Sequence, residues 1–396
     1  MIFEVPTVGP EEAAALDRID DLRRQLRFYV AEPRRWVGSV RRVLSALAIQ
    51  GSNSIEGYHV SVEDAVAAIE GDDPADARTE DWHAVTGYRR AMTYVLQLAQ
   101  DPHFEYTAGL VRSLHFMMTE YSLEAGPGLW RPGAIWIRND ASGEIVYEGP
   151  EADVVPSLVE ELVKQLSVET DVPALVRAAM AHLNLVMIHP FRDGNGRMAR
   201  CLQTLVLARE GILVPEFSSI EEYLGANTHA YYAVLGAVGR GRWNPHHDAR
   251  PWVRFCLEAH FVQAMSVLRR VRESESIWSA LEALIVEHRL PNRSVAALFD
   301  ATIGLRVRNA GYRTVLRGWE EEISNQVATI DLRAMVNAGL LERRGVKRGT
   351  YYVAAGPLLE VRAAYQRGRQ PIDTSHLFTP QDGAGSAALR LPFDEP

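Results

Sequence analysis

Twelve residues from His189 to Arg200 combine a base, a carboxylate, a glycine-rich turn and two arginines. Pro190 disfavours the helical conformation for the residue before it, so we expect His189 to end a helix and face a cleft. Its neutral imidazole could accept a proton near pH 7. Asp193 offers a hard oxygen ligand for a Mg²⁺ ion that bridges phosphates. This combination predicts a site that handles phosphate groups.

The glycine-rich turn, Gly194-Asn195-Gly196, is expected to bind the anion. Its glycines permit positive φ values, so successive backbone N–H groups can converge on one anion. A helical pattern begins at Asn195 and places this anion at a helix N-terminus. Arg197 and Arg200 are i, i+3 neighbours on that helix, close enough to hold the same polyphosphate. The sequence has no lysine in a P-loop pattern, so arginine must contact the phosphates.

Apolar residues at helical spacing flank the turn on both sides. Residues 173–188 carry the i, i+3, i+4, i+7 stripe of a buried helix. Residues 195–211 continue as a second helix, with Gly211 placed as its C-terminal cap. These two helices would position the base, the carboxylate and the arginines around one turn.

The twelve residues resemble the signature of the Fic family, His-x-Phe-x-(Asp/Glu)-Gly-Asn-Gly-(Lys/Arg)-x-x-Arg, at every specified position. The resemblance implies a mainly α-helical fold, with a Fic-type core and a β-hairpin flap, that transfers AMP from ATP to a hydroxyl group of a target protein. It implies these roles: general base His189, buried anchor Phe191, Mg²⁺ ligand Asp193, anion hole Gly194 to Gly196, phosphate clamps Arg197 and Arg200. The branch of the family that phosphorylates has lysine in place of Gly196, so this glycine favours nucleotidyl transfer.

A second motif, Ser52 to Gly57, follows a helical pattern over residues 39–50. It resembles the inhibitory motif of the family, Ser/Thr-x-x-x-Glu-Gly/Asn, with Ser52, Glu56 and Gly57 at the specified positions. The resemblance implies that Glu56 pairs with Arg200 in place of the γ-phosphate, so that the α-phosphorus of ATP is misaligned for attack. The alternative is an N-terminal helix cap with an exposed glutamate, because Ser and Asn are favoured caps.

Two further segments resemble substrate-binding parts of the family. Residues 134–138 and 144–147 flank turn residues 139–143 and predict a β-hairpin. In the family such a flap aligns a target protein as an added strand, and an ordinary surface hairpin is the alternative.

Downstream, Tyr223, Asn227, Tyr231 and Tyr232 resemble the segment of the family that closes over the nucleotide base. Tyr231 or Tyr232 is expected at the nucleotide.

Length and composition favour a multidomain protein of a reducing compartment. The 396 residues are 47% hydrophobic, enough for two or three domains. No apolar run reaches membrane-spanning length and no secretory signal is apparent, so we expect a cytoplasmic location without a membrane partner. Cys201 and Cys256 lie in apolar helical patterns and are expected to be buried thiols. The sequence leaves open whether the chain forms a homodimer.

The chain is expected to have four parts: an N-terminal helical region with the inhibitory motif (1–105), a catalytic core (106–268), a winged helix-turn-helix (274–356) and a loose tail (357–396). The third part resembles a winged helix, with strands at 341–344 and 350–353 around a basic wing. Residues 269–353 contain 14 Lys and Arg against 10 Asp and Glu, in a chain of net charge −9. This local excess of positive charge could hold DNA phosphates, while Glu320-Glu321-Glu322 leaves a protein partner equally open.

Together these patterns predict an autoinhibited protein adenylyltransferase that modifies a target protein and itself. One alternative is transfer of another group, such as UMP or phosphocholine, or removal of AMP by the same fold. Another is a DNA-binding regulator whose Fic domain senses nucleotide. The complete set of base, metal ligand and arginines argues against a sensor alone, because sensing needs no base.

Overall fold

The computed structural model describes residues 1–31, 34–70, 79–138, 143–211, 214–367 and 369–380. These residues are mainly α-helical, as predicted. The helices are α1 Pro10–Ala31, α2 Val37–Ile55, α3 Val62–Glu70, α4 Glu80–Leu98, α5 Ala108–Thr119, α6 Val155–Ser167, α7 Ala174–Ile188, α8 Asn195–Arg209, α9 Pro215–Ser218, α10 Glu221–Ala226, α11 Thr228–Gly239, α12 Arg250–Glu287, α13 Ser294–Thr302, α14 Asn309–Gly318, α15 Asn325–Asn337 and α16 Pro357–Arg367. The strands are β1 Trp136–Arg138, β2 Ile145–Glu148, β3 Gly241–Arg242, β4 Leu341–Arg344 and β5 Tyr351–Ala354. Among the described helices, none is both long and apolar enough to cross a bilayer.

Helices α7 and α8 form the centre of the core. They pack on each other, with α4, α5 and α9 against α8 and with α6 and α12 against α7. Nearly every side chain of both helices is buried, including the polar His182 and Gln203. A helix covered on all sides is buried all round instead of along one stripe. The turn between α7 and α8 is therefore held by two helices that the core surrounds.

The hairpin predicted at residues 134–147 is present. Strands β1 and β2 pair antiparallel, with Ile137 opposite Tyr147, and the short strand β3 adds to β2 in parallel. Tyr147 is buried, and its hydroxyl donates a hydrogen bond of 2.7 Å to the carbonyl of Met187 at the end of α7. The base of the hairpin is thus fixed to the central turn. Its tip, residues 139–142, lies outside the described residues.

The helix and strands predicted near the C-terminus are also present. Ser324 caps α15 by accepting a hydrogen bond from the Val327 N–H, and Gly339 follows the helix with φ 73°. Strands β4 and β5 pair antiparallel, and Val307 forms a bridge to Tyr352. This order, α13 to α15 followed by a hairpin, matches the requirements of a winged helix-turn-helix, and that assignment stays a prediction.

Helix α12 runs without a break through the boundary predicted between residues 268 and 274. Residues 252–287 contain neither Gly nor Pro, and buried residues recur along the helix from Trp252 to Ile285. The change of sequence pattern near residue 270 therefore marks a change of neighbours and not a linker. One continuous helix joins the core to the C-terminal unit, which we define as residues 288–367.

Residues 357–380 are not the loose tail that the composition predicted. They begin with α16, and both Leu358 and Leu377 are buried. Arg18 on α1 donates hydrogen bonds to the carbonyls of Leu377 (2.6 Å) and Thr379 (2.8 Å). Buried leucines and carbonyls paired with an arginine outweigh a composition rich in Pro, Gly and Ser. The remainder of the tail, residues 381–396, lies outside the described residues.

Helix α2 crosses α10 with the two backbones in close approach. A Cβ added to Gly51 would lie 2.9 Å from the carbonyl carbon of Glu221, and one added to Gly225 would lie 2.7 Å from the Cα of Gly51. Only glycine at both positions permits this distance. The crossing fixes the C-terminal end of α2 next to the core.

We predict that Gly51→Ala destabilises the protein by about 1–3 kcal/mol, because the new methyl group must push α2 away from α10. Gly38→Ala is the matched control on the same helix, since nothing lies within 4 Å of its Cβ position. That substitution should be neutral or stabilise the protein by up to ~1 kcal/mol, because alanine favours helix more than glycine does. Urea unfolding of both variants measures the difference, and equal stability of the two would contradict the close crossing.

Candidate active site at the turn between the central helices

Two residues in the left-handed conformation shape the turn between α7 and α8. His189 has φ 51° and ψ 59°, and its N–H donates to the carbonyl of Leu185 at 3.0 Å. Gly194 has φ 76°, and the first hydrogen bond of α8 runs from the Met198 N–H to the Gly194 carbonyl at 2.9 Å. The N–H groups of residues 195–197 come before Met198 in the chain and therefore have no carbonyl partner within the helix. They form the positive end of the helix, which is suited to an anion.

Asn195 closes this loop on itself. Its side-chain oxygen accepts from the N–H of Phe191 and its amide donates to the carbonyl of Phe191, both at 2.9 Å. Phe191 is fully buried, as expected for an anchor, and its ring lies 5.1 Å from that of Trp130. The Asn195 side chain therefore holds the loop, which leaves its backbone N–H at the helix terminus.

His115 on α5 also holds the loop, and the sequence analysis missed it. Its ring stacks on Phe191 with centroids 3.7 Å apart. Burial lowers the pKa of His115 to about 4, so the ring is neutral at pH 7. Its Nδ1 accepts from the Gly128 N–H at 2.9 Å, and its Nε2 then donates to the Asp193 carbonyl at 3.0 Å. No local sequence pattern predicts this contact, because His115 lies 78 positions before Asp193.

His189 is held in the state that a general base requires. Its Nδ1 lies 3.1 Å from the carbonyl of Val186, so Nδ1 carries the proton and Nε2 keeps a free lone pair. Burial lowers the pKa of His189 to about 4, although the carboxylates of Glu56 and Asp193 act in the opposite direction. The imidazole is therefore neutral at pH 7 and available as an acceptor.

Arg131 fastens this turn to the base of the hairpin and is a second residue that the sequence analysis did not assign. Its Nε donates to the carbonyl of His189 at 2.8 Å, and its backbone N–H donates to the carbonyl of Pro190 at 2.9 Å. Its two terminal nitrogens donate to the carbonyls of Gly133 and Pro150. One buried side chain thus ties the turn between α7 and α8 to both ends of the hairpin segment.

Arg197 lies at the start of α8 with no accessible surface. The Tyr58 ring lies 4.9 Å from its guanidinium, and the nearest carboxylate, on Asp193, lies 3.7 Å away. Within the described residues its guanidinium makes no hydrogen bond of good geometry. Buried charged donors are normally satisfied. The geometry therefore favours an anionic ligand at this point.

Asp193 meets the requirements for a magnesium ligand. Its side chain is 53% exposed, and Arg197 is its one ion-pair partner within the described residues. No cluster of three or more His, Cys, Asp or Glu side chains forms a metal site in the described part of the chain. Magnesium bound by one carboxylate, water and phosphate oxygens needs no such cluster. Asp193 and a bound polyphosphate would together suffice.

The contact implied between Glu56 and Arg200 is present. A terminal nitrogen of Arg200 donates to Glu56 at 2.7 Å and to the carbonyl of Ser52 at 2.8 Å, while Nε donates to the Ser52 hydroxyl at 2.7 Å. Arg200 is buried and the Glu56 side chain is 22% exposed. Burial acts to lower the pKa of Arg200, but the Glu56 carboxylate raises it above its usual value. Arg200 is therefore fully charged.

The end of α2 explains how Glu56 is aimed. The N–H groups of Gly57 and Tyr58 donate to the carbonyls of Ser54 and Asn53, both at 3.1 Å, and Gly57 has φ 84°. This is a Schellman motif, with Glu56 at the C-cap. The alternative interpretation of an N-terminal cap is wrong, because Ser52 lies in the last turns of α2.

The Glu56 carboxylate also contacts the N-terminal turn of α8. A Cβ on Gly196 would meet the Glu56 oxygen Oε1 and would lie 3.1 Å from Nη1 of Arg200. Glycine at position 196 therefore makes room for the carboxylate. A negative group here is stabilised by the helix dipole as well as by the arginine.

The two tyrosines expected at the nucleotide have different environments. Tyr231 is 1% exposed, its hydroxyl lies 2.9 Å from Nε2 of His182, and its ring packs on Trp252. It is a core residue here, because α11 turns that face inward, and its expected contact with the nucleotide stays a prediction. Tyr232 is 49% exposed, and its hydroxyl donates to the carbonyl of Ile55 beside Glu56 at 3.3 Å.

The two cysteines, Cys201 and Cys256, are buried thiols, as predicted.

Comparison with known proteins agrees with this geometry. The Fic/DOC family model matches residues 105–207, which include the whole turn and α8 to Leu207. Protein adenylyltransferase Fic of Nematostella vectensis is 27% identical over 263 residues, which cover 63% of this chain and 55% of that protein. Protein adenylyltransferase fic-1 of Caenorhabditis elegans is 34% identical over 119 residues, 28% of this chain and 20% of that protein. The chain thus spans about half of one relative and a fifth of the other.

Solved structures of low sequence identity share the fold. A Fic family protein from Desulfovibrio desulfuricans G20 superposes with a TM-score of 0.56 at 22% identity, covering 89% of this chain and 98% of that one. A Fic domain containing signaling protein from Bacteroides thetaiotaomicron gives a TM-score of 0.51 at 19% identity, covering 64% and 97%. The chain thus matches the Fic/DOC family model over residues 105–207, carries the intact signature and shares the fold of these Fic structures.

Proposed function

We propose that this chain is an autoinhibited protein adenylyltransferase, which transfers AMP from ATP to a hydroxyl group of a target protein and of itself. The observation that carries the proposal is the Glu56 carboxylate on Arg200, at the N-terminus of α8 and near the neutral His189. The names of the relatives support adenylyl transfer. The geometry of this chain supports the inhibitory role that the motif implies.

In the proposed reaction, the hydroxyl oxygen attacks the α-phosphorus of ATP. A new P–O bond forms, the bond from the α-phosphorus to the bridging oxygen breaks, and pyrophosphate leaves with that electron pair. The hydroxyl proton passes to Nε2 of His189, whose other nitrogen already donates to Val186. The N–H groups of residues 195–197 and the Arg197 guanidinium stabilise the phosphate oxygens. Asp193 would hold Mg²⁺, which neutralises phosphate charge when bound.

Glu56 inhibits this reaction by occupying a position that a phosphate needs. Its carboxylate already accepts a hydrogen bond from one terminal nitrogen of Arg200 and lies against Gly196. A γ-phosphate cannot bind Arg200 in the same place, so ATP bound beside Glu56 is displaced from in-line geometry. Loss of the carboxylate restores that contact.

The hairpin supports a protein as the second substrate. Within the described residues, β1 is an edge strand that pairs with β2 alone, and the side chains of Trp136, Ile145 and Val146 are exposed. An extended segment of a target protein can add to such an edge through backbone hydrogen bonds. UMP or phosphocholine transfer and removal of AMP stay open as alternatives, and labelled nucleotides distinguish them.

A groove in the C-terminal unit favours DNA binding as a second function. It lies between α14, α15 and the β4–β5 hairpin, has a volume of about 710 Å³, and its basic lining consists of Arg308, Arg333, Arg343 and Lys347. No acidic residue lines it within the described part of the chain. Side chains of this kind neutralise nucleic-acid phosphates. The side chain of Arg348, expected in the same wing, lies outside the described residues.

We predict that Glu56→Gly raises self-adenylylation with ATP and Mg²⁺ by about thirty- to a thousandfold, since one restored arginine–phosphate contact is worth ~2–4 kcal/mol in alignment. Intact-mass spectrometry measures the added AMP. Adding His189→Ala to this variant should abolish transfer while ATP still binds, because the histidine removes the proton and does not hold the phosphates. A Glu56→Gly protein no faster than the parent would remove the inhibitory assignment.

We predict that the rate of the Glu56→Gly variant stays constant between pH 8 and pH 5. The lowered pKa keeps His189 deprotonated as the pH falls, and the lost carboxylate had raised that pKa, so the acidic limb lies at or below about 4. A histidine with the usual pKa of about 6.5 would lose about tenfold by pH 5.5. Circular dichroism at each pH serves as the control for folding, and a tenfold loss in a folded sample would contradict the buried base.

We predict that the protein binds a labelled 30-base-pair DNA duplex at low salt, with affinity that falls steeply as salt rises. Arg333→Ala and Lys347→Ala should each weaken binding and reduce the slope of the salt dependence by about 1. Arg317→Ala is the matched control, because this exposed arginine is outside the groove. Fluorescence anisotropy gives both quantities. No binding at low salt would leave a protein partner for this face.

A further inference from the structure

Helix α2 carries Glu56 at its C-terminal end and contacts the C-terminal unit at its N-terminal end. Its 19 residues span roughly 28 Å at the usual helical rise of about 1.5 Å per residue. At one end Ser52 and Glu56 bind Arg200. At the other end Arg42 donates two hydrogen bonds, of 2.8 and 3.0 Å, to the carboxylate of Asp300 on α13. One rigid rod therefore joins the candidate active site to a separate unit of the protein.

Further contacts hold the same end of α2. The indole N–H of Trp319 donates to the carbonyl of Arg35 at 3.2 Å, and the guanidinium of Arg35 lies 5.0 Å from the Trp319 ring. Ser39 accepts a hydrogen bond from Arg42 at 3.0 Å. A groove of about 540 Å³ separates the two surfaces beside these contacts. These directional polar contacts join the N-terminal end of α2 to the C-terminal unit, in addition to the apolar packing that buries Val37, Val40 and Leu44 in the main core.

A small apolar cluster lies farther along the helix. Ala46 of α2 packs with Ala65 and Val66 of α3 and with Leu305, which follows α13. This cluster is separate from the main core. The segment that carries the inhibitory motif therefore has its own packing partner in the C-terminal unit.

Helix α14 links this contact to the basic groove. Its first residues, Asn309 and Ala310, line the groove with Arg308, and Trp319 is the residue that follows its last turn. The groove and the α2 contact thus lie at opposite ends of a ten-residue helix. A shift of α14 would reach Arg35 through Trp319.

We propose that the C-terminal unit controls inhibition by holding α2 through the Arg42–Asp300 pair, so that loosening this pair withdraws Glu56 from Arg200. The proposal rests on the proposed function of Glu56 as inhibitor. Glu56 and the γ-phosphate compete for one guanidinium, so any contact that positions α2 changes the balance between them. The coupling acts over the length of the helix and needs no contact between the C-terminal unit and the nucleotide.

The test breaks the pair with a nearly isosteric change. Asp300→Asn keeps the shape of the side chain and removes its charge, and it should raise self-adenylylation of the protein that retains Glu56 by about five- to thirtyfold. In the Glu56→Gly background the same substitution should change the rate of self-adenylylation by less than about twofold, because the inhibitory carboxylate is already absent. Charge reversal of both partners, Arg42→Asp with Asp300→Arg, should restore inhibition and shows that the pair itself is responsible.

Glu12→Gln is the matched control. Glu12 is a buried carboxylate that pairs with Arg254 at 2.6 Å and ties α1 to α12 without touching α2. Loss of the Glu12 charge should leave the rate of self-adenylylation unchanged. Thermal unfolding of each variant reports whether the protein stays folded, and the charge-reversed double variant provides the test if Asp300→Asn alone does not fold.

A second readout does not depend on activity. Amide hydrogen exchange of residues 50–58 should be faster in Asp300→Asn than in the parent or in Glu12→Gln, because these residues form the end of α2 and its cap. Unchanged exchange there together with an unchanged rate would overturn the coupling. If even Glu56→Gly transfers no AMP, the proposed function fails, and the exchange measurement still decides whether the C-terminal unit holds α2.

Discussion

Arg200 is buried in the first turns of α8, where the helix already presents the positive end of its dipole. A charge in this position needs an anion inside the protein, and the Glu56 carboxylate supplies it at 2.7 Å. Arg197, three residues earlier, makes no comparable hydrogen bond within the described residues. Its carboxylate partner, Asp193, lies 3.7 Å away, so Arg197 is less closely paired than Arg200. Arg197 is therefore available to the phosphates of a ligand, and under the proposed function this difference lets one structure bind a nucleotide and oppose its productive alignment.

The parts of the turn that would perform chemistry do not depend on Glu56 for their shape. Asn195 locks the loop to Phe191, His115 holds the Asp193 carbonyl, and Arg131 holds the His189 carbonyl. Each of these contacts comes from α5, from the hairpin base or from the turn itself. Withdrawal of α2 would therefore open the phosphate position and leave the base and its tautomer in place. Under the proposed function, relief of inhibition requires at least that the Glu56–Arg200 ion pair breaks.

The position of α2 depends on contacts far from the turn. Gly51 and Gly225 permit the close crossing with α10, and Arg42 joins the opposite end of the helix to Asp300. The continuous helix α12 fixes the C-terminal unit relative to the core. The helix that carries Glu56 is therefore held at both ends. Changes at either end are expected to be felt at Glu56.

The sequence alone determined the features that depend on local backbone chemistry. Pro190 removes His189 from the helical region, and Gly57 and Gly194 adopt the positive φ values that end α2 and begin α8. Tertiary structure decided the rest, because the burial of a helix face depends on what packs against it. Tyr231 and Tyr232 are neighbours in sequence, yet one is buried on Trp252 and the other is exposed beside Ile55. His115 and Arg131 support the turn from distant positions, and the helix α12 and the docked segment 357–380 follow from contacts that no local pattern records.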